Sequence, residues 1–89
     1  MARPHESLEA WREAMQLVTT IYATTQSFPK DELFGLVSQM RRAAVSIPSN
    51  LAEGAARSTR KEFAQFLNVA KGSLSELETQ LLISAELGY

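Results

Sequence analysis

Apolar residues recur every three to four positions along almost the whole chain, and nowhere do β-branched residues alternate with polar ones over a strand's length. The pattern predicts three helices, at about 8–26, 31–53 and 60–87, in an all-α chain of one domain. In the first, Leu8, Ala10, Trp11, Ala14, Met15, Leu17, Val18, Ile21 and Tyr22 fill half of a helical wheel, with Ser7 as the expected N-cap. One neighbour requires only about 100° of apolar stripe, so this helix should touch at least two. The segment Ser27-Phe28-Pro29 breaks the period, because proline disfavours α geometry in the residue before it.

The second helix is expected to start near Asp31 and Glu32, whose charge suits a helix amino end. Its stripe is Leu33, Leu36, Val37, Met40, Ala43, Ala44, Ile47 and Leu51. The period runs straight through Pro48, which predicts a kinked helix rather than a broken one, closed by Gly54 as C-cap. Thr59-Arg60-Lys61-Glu62 then has the spacing of a capping box. Phe63, Leu67, Ala70, Leu74, Leu77 and Leu81 form the seam of a long third helix of roughly 40 Å, with Gly88 as its cap.

Val69, Leu82, Ile83 and Leu87 lie off that seam, so something beyond the three helices is expected to cover them. Gly72 in the helix interior is read either as room for another backbone or as a tolerated surface glycine. Size points the same way. For a chain of 9.9 kDa, area scaling gives roughly 5,200 Å² folded against roughly 14,400 Å² unfolded, so folding hides only about 64% of the surface. With 45% apolar residues and no cysteine, packing or self-association has to supply the stability. The opening Met-Ala-Arg-Pro-His lacks the apolar core of a signal peptide, and no apolar run approaches a membrane span. The expectation is a cytoplasmic protein without a membrane partner.

Enzymatic constellations are nearly absent. The single histidine, His5, lies near the amino end, where fraying is expected, and leaves no base for a serine nucleophile. Glu6, Glu9 and Glu13 share a helix face but no histidine joins them, and Glu76 and Glu78 point apart, so neither a metal site nor a shared acid and base is expected. No cofactor is implied.

The net charge of −1 conceals a strong asymmetry. Residues 1–40 carry −2, residues 41–71 carry +4 and residues 72–89 carry −3. Arg41, Arg57, Arg60, Lys61 and Lys71, with Arg42, make this middle segment a candidate phosphate-binding surface, aided by free amides at the third helix's amino end. On composition alone an ordinary solvated basic surface is the slightly stronger reading, because no exposed aromatics interleave with the charges. A polar line of Arg42, Ser46, Ser49, Asn50 and Glu53 follows the second helix opposite its apolar stripe. Serines and an asparagine suit a free helix surface poorly, which favours a buried, hydrogen-bonded contact. Within it Arg42 is read as structural, leaving Arg41 as the freer cation.

The run Gln39-Met40-Arg41-Arg42-Ala43-Ala44-Val45-Ser46-Ile47-Pro48-Ser49-Asn50-Leu51-Ala52-Glu53-Gly54 closely resembles the signature of bacterial four-helix-bundle proteins linked to intervening sequences in 23S ribosomal RNA genes. Phe63 to Leu67, Ala70-Lys71-Gly72-Ser73-Leu74 and Glu76-Leu77-Glu78-Thr79-Gln80-Leu81 continue it, and Trp11, Ala14, Tyr22 and the Phe28-Pro29 turn fit as well. The resemblance implies an up-down antiparallel helical bundle that assembles as a homopentamer. It also implies kinship with accessory proteins of diversity-generating retroelements, which bind nucleic acid and a reverse transcriptase. It further implies a fourth helix after residues 87–89, expected to be either truncated here or replaced by another way of burying Leu82, Ile83 and Leu87. The expected function is a non-enzymatic homo-oligomer that binds RNA or DNA through phosphates; the alternative is an oligomeric scaffold for a protein partner.

Overall fold

The computed structural model describes residues 4–89, so Met1-Ala2-Arg3, part of the opening that shows no signal peptide, lies outside the described residues. Three helices dominate: α1 (Glu9–Thr25), α2 (Leu36–Ala55) and α3 (Arg60–Glu86), with short 3₁₀ turns at Pro4–Ser7 and Lys30–Glu32. The described residues contain no strand. Periodicity therefore identifies all three helices and places most ends within two residues. The start of α2 is the exception.

Asp31 and Glu32 do not open α2; they lie in the 3₁₀ turn that Pro29 introduces, and α2 begins at Leu36. Glu32 nevertheless serves that amino end. Its Oε1 accepts the Leu36 amide at 3.1 Å while its Oε2 accepts the Tyr89 hydroxyl at 2.8 Å. That hydrogen bond holds the Tyr89 phenol above its usual pKa. Gly88, at φ 82°, completes a Schellman turn, with Gly88 N–H to Ala85 O and Tyr89 N–H to Ser84 O, and this turn carries the Tyr89 ring to within 5.2 Å of Phe28.

Two expected caps are relocated. α1 starts after Leu8 rather than at a Ser7 cap. Gly54 is no cap either, because α2 continues through it to Ala55 with Ala56 in the C-cap position. Its bare Cα instead admits α3: a Cβ built there would lie 2.8 Å from Phe63 Cδ1 and 2.9 Å from Phe66 Cβ. α2 also passes Pro48 unbroken. At the start of α3 the Thr59 hydroxyl accepts the Glu62 amide at 3.1 Å and donates to the Glu62 carboxylate at 3.0 Å, so the capping box forms through the side chains.

α2 is the central element. Both α1 and α3 pack on it, but the Cα atoms of α1 and α3 nowhere come within 8 Å of each other. The core follows from this: Met40, Ala44, Ile47 and Leu51 of α2 meet Ala14 and Ile21 on one side and Ala70 and Leu77 on the other. Between α1 and α3 an apolar groove of about 270 Å³ stays open over Ile47 and Leu51. The molecule is consequently extended, 44 × 25 × 19 Å with a radius of gyration of 14.4 Å, against about 12 Å for a compact chain of this length. Its 6203 Å² of surface likewise exceeds the roughly 5,200 Å² that scaling predicts.

α3 meets α2 through part of the predicted seam, Leu67, Ala70 and Leu77, and through polar residues beside it. Its buried residues are Ala70, Leu77, Gln80 and Ser84, and Ser73 Oγ donates to Ser46 Oγ across the helix pair at 2.8 Å. Leu74 of the seam is exposed at the groove's edge, and Leu81 is partly exposed beyond it. Leu82 (69% exposed), Val69, Ile83 and Leu87 are uncovered, as their off-seam positions require. Among the described residues no heavy atom lies within 4 Å of a Cβ placed on Gly72, so no described backbone passes close to it.

Candidate nucleic-acid interface

The four-residue connection between α2 and α3 turns the chain so that Arg57, Arg60 and Lys61 sit together at one end of the molecule. Arg57 precedes the Thr59 cap, and its guanidinium lies 4.8 Å from the centre of the Phe66 ring while Nη2 reaches Glu53 Oε2 at 3.3 Å. Phe66 is in place because Gly54 lets α3 approach. Arg60 and Lys61 form the first turn of α3 and are exposed. Arg57 and Arg60 border a cleft of about 360 Å³, with Ser58, Thr59 and the aromatic edge of Phe63. Two hydroxyl-bearing residues, two guanidinium groups and the positive end of a 27-residue helix thus share one concave surface.

The other basic candidates are elsewhere. Lys71 lies about 16 Å further along α3, by helical rise, on the rim of the apolar groove opposite Glu13. Arg41 is about 24 Å from Arg57 along α2. It is also the reverse of free. Its Nε donates to Thr25 Oγ1 at 3.0 Å, Nη2 donates to the Tyr22 carbonyl at 3.3 Å, and the guanidinium sits 4.5 Å from the Tyr22 ring centre. Arg42, expected to be structural, is the exposed member of the pair, and no ion pair holds it among the described residues. The roles of Arg41 and Arg42 are exchanged because α1 packs on the Arg41 side of α2.

The polar line divides in the same way. Ser46 and Asn50 are half-buried under α3, where Asn50 Nδ2 donates to the Ser46 carbonyl at 2.8 Å and to Ser46 Oγ at 3.0 Å. With Ser73 they form a three-residue bridge between α2 and α3, so the contact they make is within this chain. Ser49 and Glu53 remain exposed; Ser49 bonds the Val45 carbonyl at 2.8 Å and Glu53 pairs with Arg57. Asn50→Leu removes two of the bridge's hydrogen bonds and is expected to cost about 1 kcal/mol, read as a lower urea midpoint at unchanged slope.

A family model described as 23S rRNA-intervening sequence protein matches residues 6–89. The chain belongs to this family. No curated protein matches it. The match to the 23S rRNA-intervening sequence protein family spans all three helices, including the α2–α3 turn with its basic cluster and the Ser46–Asn50–Ser73 bridge. Among the described residues of this family member no cluster of metal-ligating side chains occurs. No helix among the described residues is long and apolar enough to cross a membrane. His5, expected in a frayed end, packs its ring edge-on to Trp11 at 4.9 Å.

Sequence reasoning missed two aromatic groups beside the basic side chains. Tyr22 carries Arg41, and Phe34, 92% exposed, stands at the mouth of a cleft that Arg41 and Arg42 line. Phe34 falls outside the apolar period of α2, and that misfit is the signal by which the sequence announces it.

Proposed function

We propose that this chain is a non-catalytic, homo-oligomeric helical protein of the cytoplasm that binds RNA or DNA through phosphate contacts. The observation that carries the reading is the convergence of Arg57, Arg60 and Lys61 on the α2–α3 turn at the amino end of α3. Side-chain cations and helix amides there attract the same ligand, a phosphate. Membership of a family named for an intervening sequence of 23S rRNA supports RNA as the polyanion. Assembly into a ring, the pentamer that the resemblance implies, would repeat this cluster once per copy and raise the avidity without any new contact. Three phosphate contacts per copy give a slope of about −2 in log affinity against log salt for a single strand, or about a twentyfold loss between 50 and 200 mM. Anisotropy titration of a generic RNA at the two salt concentrations measures it, and no binding at the lower one would sink the reading.

A second reading, a scaffold for a protein partner, is favoured by the open groove between α1 and α3 and by the exposed Leu82, Ile83 and Leu87. Light scattering on the chain alone addresses the shared premise of self-association, since a monomer would remove the multiplication of charge.

A further inference from the structure

The second cleft, on the other side of the molecule from the groove, has an unusual lining. It measures about 610 Å³, within the range of about 300–1,000 Å³ that small-molecule sites occupy. Its lining joins the aliphatic side chains of Leu33, Val37 and Val45 to the rings of Phe34 and Tyr22, the guanidinium groups of Arg41 and Arg42 and two serine hydroxyls, and no carboxylate lines it.

Phe34 is not loosely placed. The turn that bears it is closed by Glu32 N–H to Pro29 O (2.9 Å), Leu33 N–H to Lys30 O (3.1 Å) and Gly35 N–H to Glu32 O (3.0 Å). Glu32, in turn, is fastened both to the Leu36 amide and to the Tyr89 hydroxyl. A large apolar ring is therefore held in water on a fixed platform, although burial of such rings is among the strongest stabilising contributions available to a small chain. Arg41 is fixed as well: two of its five donors are taken by Thr25 and Tyr22, which leaves three for a ligand in the cleft. Arg42 is exposed beside it.

We propose that this cleft is a stacking site for an unpaired base, with the base on Phe34 and the adjoining phosphate on Arg42 and Arg41. The inference rests on the reading of the chain as a nucleic-acid binder and specifies which form it prefers, a single strand or loop rather than a duplex. An exposed aromatic face offers stacking to any base, and guanidinium groups beside it follow the backbone; together these are the elements of single-strand recognition. In a duplex the bases are already stacked, so Phe34 gains nothing from it. Net positive charge without a carboxylate favours a polyanion over an apolar patch of a second copy.

The test compares an unpaired oligonucleotide of about twelve residues with a duplex of equal length, by fluorescence anisotropy at low salt. Phe34→Ala and Phe34→Leu are each expected to weaken the single strand about tenfold, the loss of one stacked base, and to leave the duplex nearly unchanged. Phe34→Trp should retain wild-type affinity, and its indole emission should be quenched by the strand. Because Phe34 is exposed, all three variants are expected to keep the wild-type circular dichroism. Phe34→Leu binding the strand as tightly as the wild type would overturn the proposal, since leucine keeps the apolar contact but has no stacking face. A fall in mass by light scattering for Phe34→Ala with unaltered strand binding would overturn it too, making the ring a contact between copies. If the wild type binds duplex well and Phe34 changes nothing, the stacking site alone fails; if it binds neither form, the phosphate-binding reading fails with it.

Discussion

Reversing Arg57, Arg60 and Lys61 together to glutamate is expected to weaken RNA binding at least a hundredfold and to flatten its salt dependence. Each phosphate contact contributes about 0.7 to the logarithmic salt slope for a single strand, so removing three takes about 2 off the slope and leaves only what Arg42 and Arg41 contribute. The reversed charges add repulsion where attraction stood, at the turn that the three residues share. Stability should change little, because Arg60 and Lys61 are exposed and the Arg57–Glu53 pair joins side chains that are 43% and 62% exposed. Exposed pairs of this kind contribute at most about 1 kcal/mol. Lys71→Glu is the control. It removes one charge about 16 Å from the turn and should cost only a few-fold. Equal losses from Lys71→Glu and from the triple variant would show that the whole surface, rather than the turn, attracts the polyanion.

What the sequence made legible, and what it did not, follows from one property of the fold. Apolar period reports that a helix has a buried side, and it located α1, α2 and α3 with ends close to those observed except at the start of α2. It cannot report which neighbour covers which part of a wide stripe. For α3 the seam of leucines was the natural choice for the contact with α2, yet α2 offers Ser46 and Asn50 on that side. Ser73 of α3 meets Ser46, Gln80 and Ser84 are buried beside Ala70 and Leu77, Leu74 is left at the open groove and Leu81 is exposed. The same limit exchanged the roles of Arg41 and Arg42, since their separation by 100° on the wheel carries no information about the side on which α1 packs. Local chemistry held at some positions and failed at others, since neither Ser7 nor Gly54 caps its helix. The Thr59–Glu62 cap formed as spaced, and the Glu32 carboxylate still reached the amino end of α2, although the helix begins at Leu36. The basic cluster was visible as charge, but its division between two ends of α2 requires that helix to run unbroken through Pro48.

Gly54→Val is expected to be more destabilising than any other single substitution proposed for this chain, at about 3 kcal/mol. The position lies inside α2, where glycine is intrinsically unfavourable by about 1 kcal/mol relative to alanine. On propensity alone any side chain would therefore help. Packing opposes this. A Cβ would lie 2.8 Å from Phe63 Cδ1 and 2.9 Å from Phe66 Cβ. The Phe63 ring could swing aside, but Phe66 Cβ is fixed to the α3 backbone, so relief requires the start of α3 to move outward. Gly54→Ala tests the balance: a lower melting temperature despite its better helix propensity would show that close approach of α3, and not backbone freedom, is what glycine supplies. Valine adds two methyl groups to the same contact and should push α3 further. Outward movement of Phe66 would also withdraw the ring beneath Arg57, so Gly54→Val should weaken RNA binding even at temperatures where the variant remains folded. A Gly54→Val protein with wild-type melting and wild-type affinity would show that neither the helix contact nor the basic turn depends on the close approach of α3 at Gly54.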